Sequence, residues 1–293
     1  MNIAILSRNP ALYSTQSLVN AARKRNHYVR VFDHMQCDLV IEANKPEIYY
    51  HGMKIRNIQA VIPRIGSSAT QFGSSVIRQF ELMRTFTTLK SDPLLRARDK
   101  ISCMQILAAN GIAVPKSIIS NNLNSIDQMI DEVSPLPIVI KLVNGTHGLG
   151  VMLAEKKKTA ESIIEAFYKT KQKVFLQKFI AEAGGADVRV FVVNNEIVGV
   201  MKRQAAEGEF RSNLHRGATS EVIQLSQEEM EVAKNAARVM GLKVAGVDML
   251  QTSRGPMVLE VNASPGLEGI EGTTGRDIAG KIIKYIEKNY NYV

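Results

Sequence analysis

Two apolar segments near the C-terminal end constrain this chain more than any other feature. Residues 244–250 (VAGVDML) and 256–262 (PMVLEVN) flank a short polar turn, a pattern typical of a β-hairpin. Glu260 and Asn262 alternate with an apolar residue and therefore share a face, and Asp248 joins them if the strands pair in even register. Two carboxylates and one amide oxygen make an all-oxygen ligand set, which suits Mg²⁺ or Mn²⁺ better than zinc.

The acidic groups of this hairpin have two interpretations. They face solvent in an ordinary hairpin, or they hold a metal ion inside a site. The apolar neighbours favour the metal site, because a buried strand carries charged groups only when they have partners. Three protein ligands leave an octahedral ion open to phosphate oxygens, which is how Mg²⁺ usually binds in nucleotide enzymes. The sequence therefore predicts a metal site that works with a bound phosphate.

Length and composition describe a globular protein of more than one domain. The 293 residues favour two or three domains, and no apolar run approaches the ~20 residues that a membrane span needs. The apolar start of the chain is too short for a signal peptide. Cys37 and Cys103 have no metal-ligand spacing, which favours two ordinary thiols in a reduced, cytoplasmic protein. The formal charge of +9 favours anionic partners without choosing among nucleotide, acidic peptide and nucleic acid.

The first 90 or so residues alternate strands with a helix, which predicts a small α/β domain with a parallel sheet. The predicted elements are strands at residues 2–6, 27–33 and 60–66, a hairpin at 47–55, and a helix that Ser14 caps and that ends near Arg25. Ligands of such sheets bind where the strands end. Arg64 lies at one of these ends, where it either meets a carboxylate or faces solvent.

A polar connector with a proline, residues 87–93, predicts a domain boundary. One helix is predicted after it, from Leu94 to a glycine stop at Gly111. Lys100 lies on this helix, and taken alone it is interpreted as a solvated charge.

Residues 137–143 (PIVIKLV) predict a strongly apolar strand with one lysine inside it. Because a buried lysine is costly unless it meets an anion, Lys141 is a candidate phosphate ligand. The next segment contains Gly145 and Gly148, and glycines let backbone N–H groups approach a phosphate closely. It matches neither the Walker A loop nor the dinucleotide-binding spacing. It is therefore either a flap over a phosphate or a plain glycine hairpin.

Polar groups continue through the strands that follow. Asp187 and Arg189 share one face of a predicted strand, where an ion pair between them is the structural alternative to a functional role. Residues 207–218 are basic, polar and glycine-bearing, which is typical of a substrate or phosphate loop. The other predicted elements are a strand at 174–180, a helix from Ser226 to Met240, a glycine-rich loop at 265–275 and a closing amphipathic helix at 277–288.

These motifs together resemble the ATP-grasp superfamily. The resemblance rests on the lysine of strand 137–143, the glycine flap, the linker at 177–180 (QKFI), and Asp248 with Glu260-Val-Asn262. Two longer motifs are similar to the RimK-type glutamate ligases, which add glutamates to the C-terminus of the sixth small-subunit ribosomal protein. These motifs are residues 211–217 (RSNLHRG) and 260–271 (EVNASPGLEGIE). Residues 62–66 and 96–100 agree, so the resemblance covers essentially the whole chain.

The resemblance implies an α/β (α+β) three-domain ATP-grasp fold. The implied domains are an N-terminal parallel-sheet domain at 1–92, a central ATP-grasp domain at 93–180 and a C-terminal ATP-grasp domain at 181–293, with ATP between the last two. A substrate carboxylate then attacks the γ-phosphate to give an acyl phosphate and ADP. An amine attacks the acyl phosphate to give an amide and phosphate. The implied substrates are glutamate and the acidic C-terminal tail of a ribosomal protein.

The resemblance also implies roles for individual residues. The implied nucleotide ligands are Lys100, Lys141, Gly145, Gly148, Gln177, Lys178, Phe179, Asp187, Arg211, Ser212 and Asn213. The implied catalytic residues are Arg203, Arg211 and Asn213. The implied metal ligands, for two ions of Mg²⁺ or Mn²⁺, are Asp248, Glu260 and Asn262. The implied substrate ligands are Arg64, Arg189, Arg216, Ser264 and Gly266.

The chain departs from the family pattern at four positions. Lys178 stands where relatives typically carry glutamate, which bears on the adenine pocket. Asn144 and His147 are atypical in the flap, where contacts to phosphate through the backbone stay available. Ala218 follows Gly217 where a second glycine is usual. None of these four positions is an implied metal ligand.

Three functions remain open at this level. The first is addition of glutamate to a protein or peptide terminus, and the second is the same chemistry on a small-molecule or carrier-protein acceptor. The third is a non-catalytic ribosome- or RNA-binding relative. The chain has no tryptophan and no basic platform rich in aromatics, which disfavours the third, and sequence-specific binding to nucleic acid is not expected. No membrane partner is expected, and a homo-oligomer is compatible with the sequence.

Overall fold

The computed structural model describes residues 1–143, 150–214 and 217–292. Its first elements are strand β1 (Asn2–Leu6), helix α1 (Tyr13–Lys24), strands β2 (Tyr28–Phe32), β3 (Cys37–Val40), β4 (Glu47–Tyr50), β5 (Met53–Lys54) and β6 (Ala60–Pro63), helix α2 (Thr70–Leu82) and strand β7 (Phe86–Thr87). Strands β2, β1, β6 and β7 lie in this order in one sheet and pair in parallel. The predicted parallel sheet is confirmed. The predicted hairpin forms a separate sheet of β3, β4 and β5.

Helix α2 was not predicted, and its composition explains why. It contains Gly73 and two serines, which are weak helix formers. The glycine permits close packing, because a Cβ atom at Gly73 would lie 2.6 Å from Cγ2 of Ile65. The apolar side of α2, with Val76 and Phe80, packs in the same core as Leu6 of β1. Tertiary packing therefore stabilises a helix that local propensity does not favour.

The predicted cap of helix α1 is wrong. The helix begins at Tyr13, and its N-cap is Leu12, which makes no side-chain cap hydrogen bond. Ser14 lies inside the first turn, where its Oγ accepts a 2.9 Å hydrogen bond from the backbone N–H of Leu267. The hydroxyl group thus connects the N-terminal region to a C-terminal segment.

The single helix predicted from Leu94 to Gly111 is also wrong, because the structure has two helices there. Helix α3 (Ser91–Arg98) and helix α4 (Lys100–Ala109) meet at Asp99, which has extended backbone angles (φ −84°, ψ 104°). The Asp99 carboxylate accepts hydrogen bonds from the N–H groups of Ile101 and Ser102. An aspartate that caps the next turn in this way interrupts a helix.

The central region is an antiparallel sheet with helices on one face. Its elements are strand β8 (Ser117–Ile119), helix α5 (Ile126–Glu132), strands β9 (Ile138–Leu142) and β10 (Val151–Ala154), helix α6 (Lys157–Lys169) and strand β11 (Val174–Lys178). The strand order is β10, β9, β11, β8. Ile140 and Leu176 pack with Ile130 of α5 and Ile164 of α6. The alternate positions of β9 and β11 point to the other face, away from these helices.

The C-terminal region is an antiparallel sheet with helices on both faces. Its elements are strands β12 (Ala186–Val193), β13 (Glu196–Gln204) and β14 (Thr219–Glu221), helix α7 (Gln227–Val239), strands β15 (Val244–Leu250) and β16 (Met257–Asn262), and helices α8 (Glu268–Thr274) and α9 (Ile278–Asn289). The strand order is β14, β13, β12, β15, β16. Helix α7 starts at the predicted cap, Ser226, and the structure adds a capping box between Ser226 and Glu229. The predicted hairpin is the pair of β15 and β16.

Helices α8 and α9 cover part of one face of this sheet. Phe191 of β12 packs there with Ile270 of α8 and Ile282 of α9. The same core contains Ile3 and Ile5, so α9 also packs against the N-terminal sheet. The glycine-rich loop predicted at 265–275 is wrong, because most of this segment is helix α8, which ends at Gly275 in the left-handed region. Within the described ranges no helix is long and apolar enough to cross a membrane.

Candidate functional site

The predicted register of the C-terminal hairpin places three polar residues on one face. Asp248 pairs with Glu260, and Gly246 pairs with Asn262 across strands β15 and β16. Gly246 is required for close packing, because a Cβ atom there would lie 2.8 Å from Cβ of Pro265. The pairing on which the metal site depends is present at Asp248, and it follows a register shift between Asp248 and Met249.

Asp248 is buried between two arginines of the same sheet, Arg189 on the adjacent strand β12 and Arg203 on the next strand, β13. Arg189 donates from Nε and Nη2 to its two carboxylate oxygens at 2.7 and 2.6 Å. Arg203 donates to Oδ2 of Asp248 at 3.0 Å and to both oxygens of Asp187 at 2.7 and 2.5 Å. The ion pair considered between Asp187 and Arg189 is therefore wrong. The two residues do share a face, but each bonds to a partner on a different strand, because the register opposes Arg189 to Asp248 and Asp187 to Arg203.

These pairings set the charge of the two aspartates. Burial opposes ionisation of Asp248, but the charges of Arg189 and Arg203 outweigh it and hold its pKa well below the usual range. Burial and the charge of Asp248 raise the pKa of Asp187, while Arg203 opposes the rise. Asp248 is thus an ionised carboxylate at neutral pH, and its lone pairs remain available beside the arginine hydrogen bonds.

Glu260 is exposed on the edge strand, and its Oε1 accepts a 2.9 Å hydrogen bond from Nδ2 of Asn262. In the part of the chain that the structure describes, no group of three or more His, Cys, Asp and Glu side chains forms a metal site. A metal at this face therefore depends on the amide oxygen of Asn262 beside two carboxylates. This donor set fits a hard cation such as Mg²⁺.

Two lysines lie near Glu260, and both come from other parts of the chain. Lys141, on strand β9, donates a 2.7 Å hydrogen bond to Oε1 of Gln177, which is 2% exposed and donates to Ser117 Oγ at 2.9 Å. Lys100 donates to the carbonyl oxygens of residues 142 and 143 at 3.0 Å. Burial lowers the pKa of Lys141 to about 8, with Glu260 opposing and Lys100 reinforcing the shift. The structure thus brings together two predicted lysines that are 41 positions apart in the sequence.

Side chains at the end of strand β11 alternate between the two faces of the central sheet. Gln177 belongs to the face of Lys141, while Lys178 pairs with Ile138 and belongs to the alternate face. The backbone N–H of Lys178 donates to the carbonyl of Lys116 at 2.8 Å. Phe179 packs edge-on against Phe210, with 6.4 Å between ring centroids.

The polar loop before strand β14 contacts the central sheet through Arg211. Its guanidinium pairs with Glu209 at 2.6 Å and donates to the carbonyl of Val151 at 3.2 Å. Hydrogen bonds from Arg211 lower the pKa of Glu209 to about 2. Ser212 and Asn213 are half-buried beside it. Of the predicted site residues, Gly145, Gly148 and Arg216 lie outside the described residues, as do the departures Asn144 and His147.

Arg64 and Arg98 form a second basic group, and Arg98 lies near Glu260. Arg64 Nη2 donates to the carbonyl of Pro265 at 2.7 Å, so this predicted residue meets a carbonyl and not a protein carboxylate. Arg98 donates from Nη2 to the carbonyl of Ile65 at 2.6 Å. Burial lowers the pKa of Arg98, and the charge of Glu260 opposes the shift. Sequence reasoning missed Arg98, although its position two residues before Lys100 was a usable signal.

Comparisons with known proteins identify the family of this chain. Residues 97–286 match the RimK-like ATP-grasp domain, and residues 1–94 match the RimK PreATP-grasp domain. The chain is 52% identical over 289 residues to the probable alpha-L-glutamate ligase of Teredinibacter turnerae and 50% identical to that of Vibrio cholerae. Each match covers 99% of this chain and 96% of the relative.

Solved structures share the fold at lower identity. The ATP-grasp ligase PsnB in complex with a precursor variant, Mg and ADP superposes with a TM-score of 0.75 at 23% identity, covering 98% of this chain and 97% of that one. The D-alanine–D-alanine ligase of Bacillus anthracis in complex with ATP gives 0.69 at 18% identity, covering 99% and 97%. The chain therefore belongs to the RimK-like ATP-grasp family of ATP-dependent ligases.

Proposed function

We propose that this protein joins L-glutamate to the C-terminus of a protein at the expense of ATP. The observation that carries the proposal is the proximity of oxygen ligands and ammonium groups. The oxygens belong to Asp248, Glu260 and Asn262, and the ammonium groups near them belong to Lys100 and Lys141. A site that pairs oxygen ligands for a cation with cations for phosphates is suited to a metal nucleotide. The relatives named probable alpha-L-glutamate ligase support glutamate as the amino acid.

The metal-binding residues of the proposal are Asp248, Glu260 and Asn262, for two ions of Mg²⁺ or Mn²⁺. The bound metal supplies charge stabilisation to the phosphoryl group that is transferred. Arg189 and Arg203 keep Asp248 ionised and fix its orientation through three hydrogen bonds. Because Arg203 is buried and bonded to two aspartates, we assign it a positioning role within the catalytic group.

The proposal divides the chain into an N-terminal domain (1–92), a central domain (93–180) and a C-terminal domain (181–293). The nucleotide lies between the central and C-terminal domains. Lys100 and Lys141 neutralise phosphate charge, and Arg211 with Ser212 and Asn213 binds near the γ-phosphate. Arg211 is held at the start of strand β10 by its contact with Val151, which favours this role. The other proposed nucleotide ligands are Gly145, Gly148, Gln177, Lys178, Phe179 and Asp187.

The reaction of the proposal has two balanced steps. An oxygen of the acceptor carboxylate attacks the γ-phosphorus, the bond from phosphorus to the bridging oxygen breaks, and ADP leaves. The amine of glutamate then attacks the acyl carbon, and inorganic phosphate leaves as the amide forms and a proton is released. The described residues supply charge stabilisation and orientation, which are the main catalytic needs of phosphoryl transfer.

The acceptor of the proposal is the acidic C-terminal tail of a ribosomal protein. The formal charge of +9 on the chain favours an acidic partner through long-range attraction. The substrate ligands of the proposal are Arg64, Arg189, Arg216, Ser264 and Gly266. Gly266 is exposed and has open space around it, which leaves room for a chain to pass.

A screen of acceptors tests the proposal. The protein is incubated with ATP, Mg²⁺, glutamate and either ribosomal proteins or small carboxylic acids, and products are read by intact mass. We expect successive additions of glutamate to a ribosomal protein, and none with the Glu260→Gln variant. Glutamate added only to a small acid or carrier protein would move the acceptor to that class. Absence of ADP formation with every acceptor would favour the non-catalytic alternative.

A further inference from the structure

Two buried polar atoms lack hydrogen-bond partners where the loop after β6 meets the loop after β16. They are Nε of Arg98 and Oγ of Ser264, and neither has a hydrogen-bond partner among the residues that the structure describes. Leaving a buried donor unpaired is unfavourable, and more so for a charged group. Such atoms are therefore expected to meet a ligand that the protein chain does not supply.

The surrounding contacts place these two atoms in one neighbourhood. Arg98 donates to the carbonyl of Ile65, the residue after Arg64, and Arg64 donates to the carbonyl of Pro265, the residue after Ser264. These hydrogen bonds connect the loop after β6 to the end of helix α3 and to the loop after β16. Within the described residues both guanidinium groups hydrogen-bond only to carbonyl oxygens, and neither forms a salt bridge. The charge of Glu260 acts on Arg98 without a direct bond.

The charges favour an anion in this neighbourhood. Burial lowers the pKa of Arg64 to about 10, and the charge of Arg98 adds to this shift. Two guanidinium groups that repel each other are stabilised by a shared negative group. The planar fork of arginine matches a carboxylate, and a serine hydroxyl adds one more donor. The two lysines assigned to phosphate lie on other elements, α4 and β9.

We infer that Arg98 and Ser264, together with Arg64, bind a carboxylate of one of the two ligation substrates. This inference rests on the proposed function and adds Arg98 as a substrate-binding residue. The carboxylate belongs either to the incoming glutamate or to the acidic tail of the acceptor. Ser264 lies two residues after Asn262, so a carboxylate bound at Ser264 lies close to the proposed metal ligands.

Steady-state kinetics of three variants tests the inference. We expect Arg98→Met to raise the KM for glutamate or for the acceptor by about tenfold or more, the loss of roughly 1.5–3 kcal/mol expected for a charged hydrogen bond. Ser264→Ala raises the same KM by a smaller factor and leaves thermal stability unchanged or raises it, since its buried hydroxyl has no protein partner to lose. Arg96→Met, on the exposed side of the same helix, is the matched control and leaves all KM values unchanged.

The arms of the experiment separate the outcomes. An effect on the glutamate KM identifies the amino acid as the source of the carboxylate, and an effect on the acceptor KM identifies the tail. An effect on the ATP KM alone, or on no KM, overturns the inference. If wild type ligates nothing, the proposed function fails. Calorimetric binding of glutamate or glutarate to wild type then still tests whether Arg98 and Ser264 bind a carboxylate. Equal binding of both compounds to wild type, Arg98→Met and Ser264→Ala would overturn it.

Discussion

The ammonium group of Lys141 lies 2.7 Å from Oε1 of Gln177, so the cation inside an apolar strand is paired with an amide and not with an acid. Gln177 is in turn fixed by Ser117 on the neighbouring strand. Because this partner is neutral, burial lowers the pKa of Lys141, and the charge of Glu260 opposes the shift only in part. The pair orients the ammonium group toward the face where Glu260 lies, and under the proposed function its charge neutralises a phosphate of ATP.

This relationship predicts the effect of Lys141→Met. We expect ATP binding to weaken by about tenfold or more, because one charge-assisted contact to phosphate is lost. Thermal stability without ligand should stay equal or rise, because a buried charge is removed. Calorimetric titration with ATP and a thermal melt measure both quantities. Lys173→Met, at an exposed position before strand β11, is the control, and an ATP affinity of Lys141→Met equal to that of the control would refute the assignment.

Asp248 and Glu260 should differ in what their substitution costs. Glu260→Gln should abolish turnover with little loss of stability, because Glu260 is exposed. Asp248→Asn should abolish turnover and also destabilise the fold by about 3–5 kcal/mol, because two arginines lose a buried counter-charge. Urea unfolding and ATP turnover of both variants measure the difference. Near wild-type turnover by either variant would count against the metal assignment.

Lys178 tests whether the departure from the family pattern matters. Its side chain belongs to the opposite face from Gln177, so we expect Lys178→Glu to change ATP affinity by no more than about tenfold, or ~1.4 kcal/mol. Titration of ATP and GTP against wild type and this variant provides the measurement. If only the glutamate variant bound ATP, Lys178 would have disabled the site, and the non-catalytic alternative would return.

His34 should make the stability of the N-terminal region sensitive to acid. It is fully buried, and neither ring nitrogen has a partner among the residues described. Burial lowers its pKa, with the charge of Asp33 opposing and that of Arg8 reinforcing the shift. The unfolded chain takes up this proton near pH 6.5 and the folded chain does not, so the free energy of unfolding falls as the pH drops below about 6.5.

The His34→Leu variant isolates this contribution. We expect its stability to fall less than that of wild type between about pH 7.5 and about pH 5.5, because the group that takes up the extra proton is absent. Urea unfolding across this range gives the comparison. His51→Asn, at an exposed position with a positive φ that asparagine tolerates, should follow the wild-type profile. Parallel profiles for wild type and His34→Leu would refute the role of His34.

The sequence predicted those features that depend on local alternation. Glu260 and Asn262 share a face because side chains alternate along one strand. Asp248 joins them through a register shift between Asp248 and Met249, which alternation along the strand does not reveal. The partner of Asp248 could not be predicted, because Arg189 opposes it only through the pairing of β12 with β15, two strands that are distant in sequence.

Three errors have different physical causes. The break at Asp99 was missed because an aspartate inside a helical pattern is also compatible with a continuous helix, and its cap appears only in the structure. Helix α8 was missed because its glycines indicate a loop, whereas Ile270 packs into the core beneath strand β13 and stabilises the helix. Arg98 was missed because its partner, the carbonyl of Ile65, lies in a different region of the chain.

Oxygen transfer tests the acyl-phosphate route most directly. An acceptor whose terminal carboxylate carries ¹⁸O is incubated with the protein, ATP, Mg²⁺ and glutamate, and the released phosphate is analysed by mass spectrometry. We expect each ligation to move one ¹⁸O atom into inorganic phosphate, because the attacking oxygen stays bonded to phosphorus when the amine displaces it. Amide formation accompanied by unlabelled phosphate would contradict phosphorylation of the carboxylate at this site.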